Sequence, residues 1–178
     1  SEKDIKLLKF LSSNGHFTPF EHATLTVIVE CPLFIRSQIH RHRTFSYNEV
    51  SRRYTDENIQ FYIPDELHIQ DNINKQSSVQ KMRKSNANVS RMRILCNVMQ
   101  NEYEELIKAG VSREEARMIL PQNLMTKFYM TGNIRNWSHF LKLRLDEHAQ
   151  REVRIGAKKV LGIIKQYFPE TIKVLIQD

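Results

Sequence analysis

Apolar residues recur along this chain at two spacings, and the switches between them mark out its elements. Ile5, Leu8, Phe10 and Leu11 stand among lysines at helical spacing, which predicts an amphipathic helix over residues 2–13 ending at the turn Ser13, Asn14, Gly15. ATLTVIVE at 23–30 is β-branched and alternating, so it reads as a strand. Pro32 then suits the first turn of a helix that LFIRSQIHRH can continue. Ile59, Phe61 and Ile63 alternate up to Pro64 and predict a second strand over 58–64. From about residue 73 to 109 breakers are few, and Met92, Leu95, Val98, Met99, Tyr103 and Leu106 recur at helical spacing before Gly110. One long helix with a polar first half is expected there.

Ser112 and Glu115 have the spacing of a capping box, so a short helix should run through REEARMIL to Pro121. LMTKFYMT at 124–131 predicts a third strand. Gly132 and Asn133 turn the chain into two helical runs, IRNWSHFLKLRL and HAQREVRIGAKKVLGIIKQYF, closed by Pro169. No repeat or low-complexity tract interrupts this order. The expectation is an α+β fold in a single domain over 1–178: a mixed or antiparallel sheet flanked by helices, with the long helix and a C-terminal helical segment.

Composition narrows the chemistry. The 178 residues are 40% hydrophobic and contain five Gly and five Pro, enough for a folded core without disulfides or a structural metal. The formal net charge of +7 favours an anionic partner without choosing among nucleic acid, nucleotide and membrane surface. Cys31 and Cys96 lie far apart in apolar neighbourhoods, so neither a metal knuckle nor a disulfide is suggested, and both read as buried small hydrophobes. No apolar run reaches the roughly 20 residues that span a bilayer. SEKDIKLLKF lacks the apolar core of a secretory signal, and a cytoplasmic setting is expected.

The densest chemistry lies at 40–54, HRHRTFSYNEVSRRY, with four arginines and two histidines among fifteen residues. Guanidinium groups bind phosphate through a fork, and hydroxyls or backbone amides beside them complete a phosphate site. The plainer reading is a solvated basic face with surface ion pairs. Glu49 separates the two, because a carboxylate would repel a nucleic-acid backbone yet suits a ligand carrying both a phosphate and a sugar hydroxyl.

This stretch is similar, position for position, to the RHRxxSxNExSxRY motif of the flavin-dependent thymidylate synthases. NGHFTPFEH at 14–22, EARMILPQNLMTKFYMTGNIR at 115–135 and LKLRLDEHAQREV at 141–153 resemble three further segments of that family. The resemblance implies a homotetramer that makes dTMP from dUMP. Methylenetetrahydrofolate would be the carbon donor, and FAD reduced by NADPH the hydride carrier.

Carried across, Arg41, His42 and Arg43 resemble the flavin-binding triplet. Thr18, Glu49, Asn133, Arg135, His139 and His148 stand at positions on the flavin or folate side. Gln38, Arg41, Glu49, Ser51, Arg52, Arg53 and Arg117 resemble dUMP contacts, with Ser51, Arg53 and Arg117 at the phosphate and Glu49 at the ribose 3′-hydroxyl. Arg144 resembles the arginine that reaches the uracil from a neighbouring subunit and stabilises charge on the pyrimidine. Arg144, His16 and Ser51 are the expected catalytic residues, and no metal is implied.

The chain departs from the family's habit in three places. Arg52 replaces a small residue, His139 replaces an Asn, and an N-terminal strand with an ARxSF-like segment has no counterpart, so that part of the family's fold is expected to be missing. The alternatives are a basic nucleic-acid-binding module, a histidine-based metal hydrolase and a catalytically inactive family member. The first lacks any recognised nucleic-acid signature, and neither nucleic acid nor membrane is expected as a partner.

Overall fold

The computed structural model describes residues 1–55, 58–75 and 78–177, with Gln177 described in its backbone alone. It is an α+β fold. α1 (Glu2–Ser13) opens on a capping box in which Ser1 and Asp4 exchange hydrogen bonds. A 3₁₀ turn (Thr18–Glu21), β1 (Thr24–Pro32), α2 (Leu33–Ile39) and β2 (Ser46–Glu49) follow. Next come the short strands β3 (His68–Gln70) and β4 (Ser78–Lys81), then α3 (Asn86–Lys108) and α4 (Arg113–Ala116), which tightens into a 3₁₀ turn at Arg117–Ile119. β5 (Met125–Asn133), α5 (Ile134–Leu145), α6 (Arg151–Tyr167) and α7 (Pro169–Gln177) complete the chain.

β1, β5 and β2 form a three-stranded sheet in that order, and β3 pairs with β4 in a separate antiparallel ribbon. β1 and β5 run antiparallel: Thr26 Oγ1 meets Thr131 Oγ1 at 2.9 Å, and Glu30 pairs with Lys127 at 2.7 Å. By the clustering of their Cα atoms the residues fall into two compact units. The first comprises Ser1–Ile28, Ile39–Asn48 and Tyr129–Asp178; the second comprises Val29–Gln38 and Glu49–Phe128. In the first, α5 packs on α6, α7 and the Thr18–Glu21 turn, while α1 packs on α7. Trp137, Ile134, Leu141 and Ile164 are fully buried there. Trp137 satisfies its indole N–H on the Leu25 carbonyl at 3.2 Å. In the second, Tyr103, Ala116, Leu120 and Leu124 form the core, with Leu33, Ile59 and Phe61 packed against them.

Several expectations from the sequence are corrected. Residues 58–64 do not form a strand. Phe61 and Leu124 make one isolated antiparallel bridge, because Asn58 at φ 53° and Pro64 bound the segment and leave too few residues to extend the ladder. The helix expected from about 73 begins at Asn86. Before it, the Asp71 carboxylate accepts the backbone N–H groups of Ile73 and Asn74 at 2.8 and 3.2 Å and builds a turn, so the polar stretch becomes the β3–β4 ribbon. Gln76 and Ser77 lie outside the described residues. Ser112 makes no backbone cap; its hydroxyl instead donates to the Glu115 carboxylate at 3.2 Å. Pro169 closes α6 but also starts α7, an apolar helix whose Ile172 and Leu175 are buried.

Candidate active site

The second unit contains a cleft of about 210 Å³ lined by Arg36, Glu49, Ser51, Arg52, Arg117 and Thr126, with Leu33, Leu124 and Met125 as its apolar floor. Alternation along β2 turns Tyr47 and Glu49 to one face, leaving Ser46 and Asn48 exposed. Beyond the strand the backbone N–H of Val50 donates to the Lys127 carbonyl. A turn follows, closed by the Tyr54 N–H on the Ser51 carbonyl at 3.1 Å, with the Ser51 hydroxyl accepting from the Arg53 N–H at 3.3 Å. That turn aims Ser51 and Arg52 into the cleft; Arg52 also donates to the Asn58 carbonyl at 3.1 Å.

Arg117 enters at the start of its 3₁₀ turn, its Nε donating to the Glu114 carbonyl at 3.3 Å. Arg53 is not among the lining residues. It is exposed, 3.7 Å from the Glu114 carboxylate and 5.7 Å from the centre of the Tyr54 ring. Gln38 is half-buried in the last turn of α2. Cys31, buried at the end of β1, has its thiol pushed up to about 12 by burial, with Glu49 adding to the rise and Arg36 opposing it. It is an un-ionised packing residue.

Two residues that sequence reasoning missed sit in this cleft. Arg36 holds Glu49 in a fork, Nε to Oε2 at 2.9 Å and Nη2 to Oε2 at 2.7 Å, and Thr126 Oγ1 donates to Oε1 at 2.7 Å. The available signal was a lone arginine in the apolar run LFIRSQI, where a charge needs a partner.

A second cluster lies in the first unit. Arg144, near the end of α5, donates from Nε to His42 Nε2 at 2.9 Å. His42 is buried beside Phe140, Phe45 and His139, with ring centres 4.8, 6.4 and 6.1 Å away. Burial first, then the Arg144 and His139 charges, push its pKa down to about 4. The ring is therefore neutral, with its proton on Nδ1 so that Nε2 can accept. Burial also lowers the pKa of Arg144 from its ordinary value. The loop carrying His42 is pinned by the Tyr47 hydroxyl, which lies 3.0 Å from the Ile39 carbonyl and 2.9 Å from that of His42.

The remaining sequence-derived candidates divide. Arg41 and Arg43 are exposed and meet no partner among the described residues. Two unpaired guanidinium groups flanking a buried histidine suit a diphosphate, so these residues fit the flavin dinucleotide that the resemblance implies. Asn133 caps α5, accepting from the Asn136 N–H at 2.9 Å. Arg135 pairs with Glu21 and lies 5.0 Å over the Phe17 ring. His16 and His139 are exposed, and Thr18 opens the 3₁₀ turn. His148 contacts the Asp146 carboxylate at 2.9 Å in the turn after α5.

The family model described as thymidylate synthase complementing protein matches residues 1–170. This chain belongs to the flavin-dependent thymidylate synthases. A family member from Thermosipho africanus is 38% identical over 181 residues, covering 99% of this chain and 78% of its own length. Another, from Thermotoga neapolitana, is 38% identical over 177 residues, with 99% and 77% covered. Among solved structures, the UMP/dUMP methylase PolB from Streptomyces cacaoi, bound with 5-Br dUMP, superposes with a TM-score of 0.90 at 29% identity, covering 98% of this chain and 79% of that one. Among the described residues no helix is long and apolar enough to cross a membrane.

Proposed function

We propose that this chain is a thymidylate synthase that methylates dUMP reductively to dTMP in the cytoplasm, drawing carbon from methylenetetrahydrofolate and reducing power from NADPH through FAD. The observation that carries the reading is the cleft of the second unit, where Arg36, Arg52, Arg117 and Ser51 surround the single carboxylate of Glu49. Its cations and hydroxyl suit a 5′-phosphate, and the carboxylate suits a sugar hydroxyl.

Arg41, His42 and Arg43, with Thr18, Asn133, Arg135, His139 and His148, would hold the flavin, whose chemistry when bound is hydride transfer. Arg144 binds the pyrimidine carbonyls and stabilises the negative charge that grows there when the ring carbon attacks the incoming one-carbon unit. His42 keeps Arg144 oriented for that contact. Neither cysteine acts as a nucleophile.

The assembly is a homotetramer with shared sites. Ile94, Leu95, Val98 and Met99 on α3 are 61, 49, 46 and 36% exposed, an apolar stripe that a second copy would cover.

The test is an absorption spectrum of the purified protein with and without dUMP, followed by turnover with dUMP and, separately, UMP. A flavin band perturbed by dUMP, and conversion of dUMP, are expected; a colourless protein that retains no flavin on reconstitution overturns the proposal. Arg144→Ala should lower kcat/KM by about a hundred-fold or more while the protein stays folded. Wild-type turnover in that variant would remove Arg144 from the reaction.

A further inference from the structure

A carboxylate inside a phosphate-binding cleft needs explaining, because unless it is compensated it opposes the ligand's own charge. Glu49 is compensated by its neighbours in the fold. Its side chain is 19% exposed, and both oxygens are engaged by the cleft wall. Arg36 Nε lies 3.2 Å from Oε1 and 2.9 Å from Oε2, Arg36 Nη2 lies 2.7 Å from Oε2, and Thr126 donates to Oε1 at 2.7 Å.

A guanidinium fork with a third donor fixes the plane of a carboxylate as well as its position. The three residues come from α2, the end of β2 and the start of β5, so the arrangement is built by the fold rather than by neighbours in sequence. Arg36 lines the same cleft as Arg52, Ser51 and Arg117. Its charge cancels that of Glu49 at the place where the phosphate would meet it.

We propose that Arg36, supported by Thr126, is a positioning and charge-compensating residue of the nucleotide pocket. It holds the Glu49 carboxylate in the orientation that accepts the sugar hydroxyl, and it removes the repulsion between that carboxylate and the phosphate. The inference rests on reading the cleft as the nucleotide site.

It is tested by measuring the dUMP dissociation constant, KM and kcat for wild type, Arg36→Met, Arg36→Lys, Glu49→Gln and the double variant Arg36→Met with Glu49→Gln. Arg36→Met is expected to weaken dUMP about ten-fold or more, with the change in KM exceeding that in kcat. Arg36→Lys should recover part of the loss, since it restores charge without the fork. The double variant should bind no more weakly than Arg36→Met, because neutralising Glu49 removes the uncompensated charge.

Single losses that multiply in the double variant would mean two independent ligands and would overturn the proposal, as would dUMP binding unchanged by Arg36→Met. Should Arg36→Met prove unfolded in a melting experiment, Thr126→Val reads the same contact without altering charge. A few-fold rise in KM is then expected, and an unchanged KM overturns the inference. Wild-type protein that fails to bind dUMP would instead overturn the functional reading itself.

Discussion

His42 can accept the Arg144 Nε–H only as a neutral ring, so its protonation and the placement of the guanidinium are linked. Its folded pKa, about 4, lies below the ordinary histidine value of 6.5, and the unfolded chain therefore binds more protons between those values. Stability from this group is complete above pH 6.5 and is lost as pH falls through 4, by roughly 3 kcal/mol at most. Among the described residues, His139, Phe45 and Phe140 also face the ring, and no carboxylate contributes to its shift. His42→Gln supplies a carbonyl acceptor that does not titrate. Unfolding free energies compared at pH 7 and pH 4.5 should fall less for this variant than for wild type, and equal slopes would detach His42 from the acid response. At this scale the sequence motif was informative about residue types and silent about pairing. It drew attention to Glu49, Ser51, Arg52 and Arg117, which do line one cleft, but a motif carries no distance. Arg36 stands out in its apolar run, but its pairing with Glu49, and the part of Thr126, far away in sequence, could be found only once α2 and β5 were folded.

Among the elements, β5 shows why a small residue matters at one point. A Cβ added at Gly132 would overlap the Phe45 ring, and that ring stands edge-on to Trp137 with centres 4.6 Å apart, so it has no room to swing aside. Gly132→Ala is expected to cost about 1–3 kcal/mol and to lower the melting temperature by roughly 5 °C. Phe45→Leu in the Gly132→Ala background should restore part of the loss; a variant that melts like wild type would show that the ring yields. The elements that were legible from sequence are those with a sustained apolar period of their own: α1, β1, β5, α5 and α6. Others were not, for identifiable reasons: β2 is only four residues long, and α7 starts at a proline, which marks a helix's end as readily as its start. The β3–β4 ribbon has almost no apolar signal and is set by the Asp71 turn, with Lys84 at φ 58° preceding α3. Residues 58–64 carry a strand's alternation, and Ile59 and Phe61 do pack on the core, yet the segment's ends prevent a ladder.

For the whole molecule, the fold class was legible because the order of strands and helices survives errors in their boundaries, whereas the homotetramer is an expectation that rests on the resemblance. The α3 stripe makes the point: helical spacing alone does not say which face is covered, and Val89, Cys96 and Tyr103 are the buried residues, while Leu95, Val98 and Met99 face outward. An outward apolar stripe of this kind is the surface that the proposed homotetramer would bury. The arrangement has a functional consequence. If each site combines Arg117 from one subunit with Arg144 from another, a chain altered at Arg117 and a chain altered at Arg144 are each inactive alone yet form some intact sites when mixed. Random assembly of equal amounts leaves about a quarter of the sites with both residues native. Co-expressed Arg117→Ala and Arg144→Ala chains should therefore recover about a quarter of wild-type turnover, whereas a single chain carrying both substitutions should recover none. Recovery absent from a mixture that assembles normally by size-exclusion chromatography would place both residues of each site on one chain.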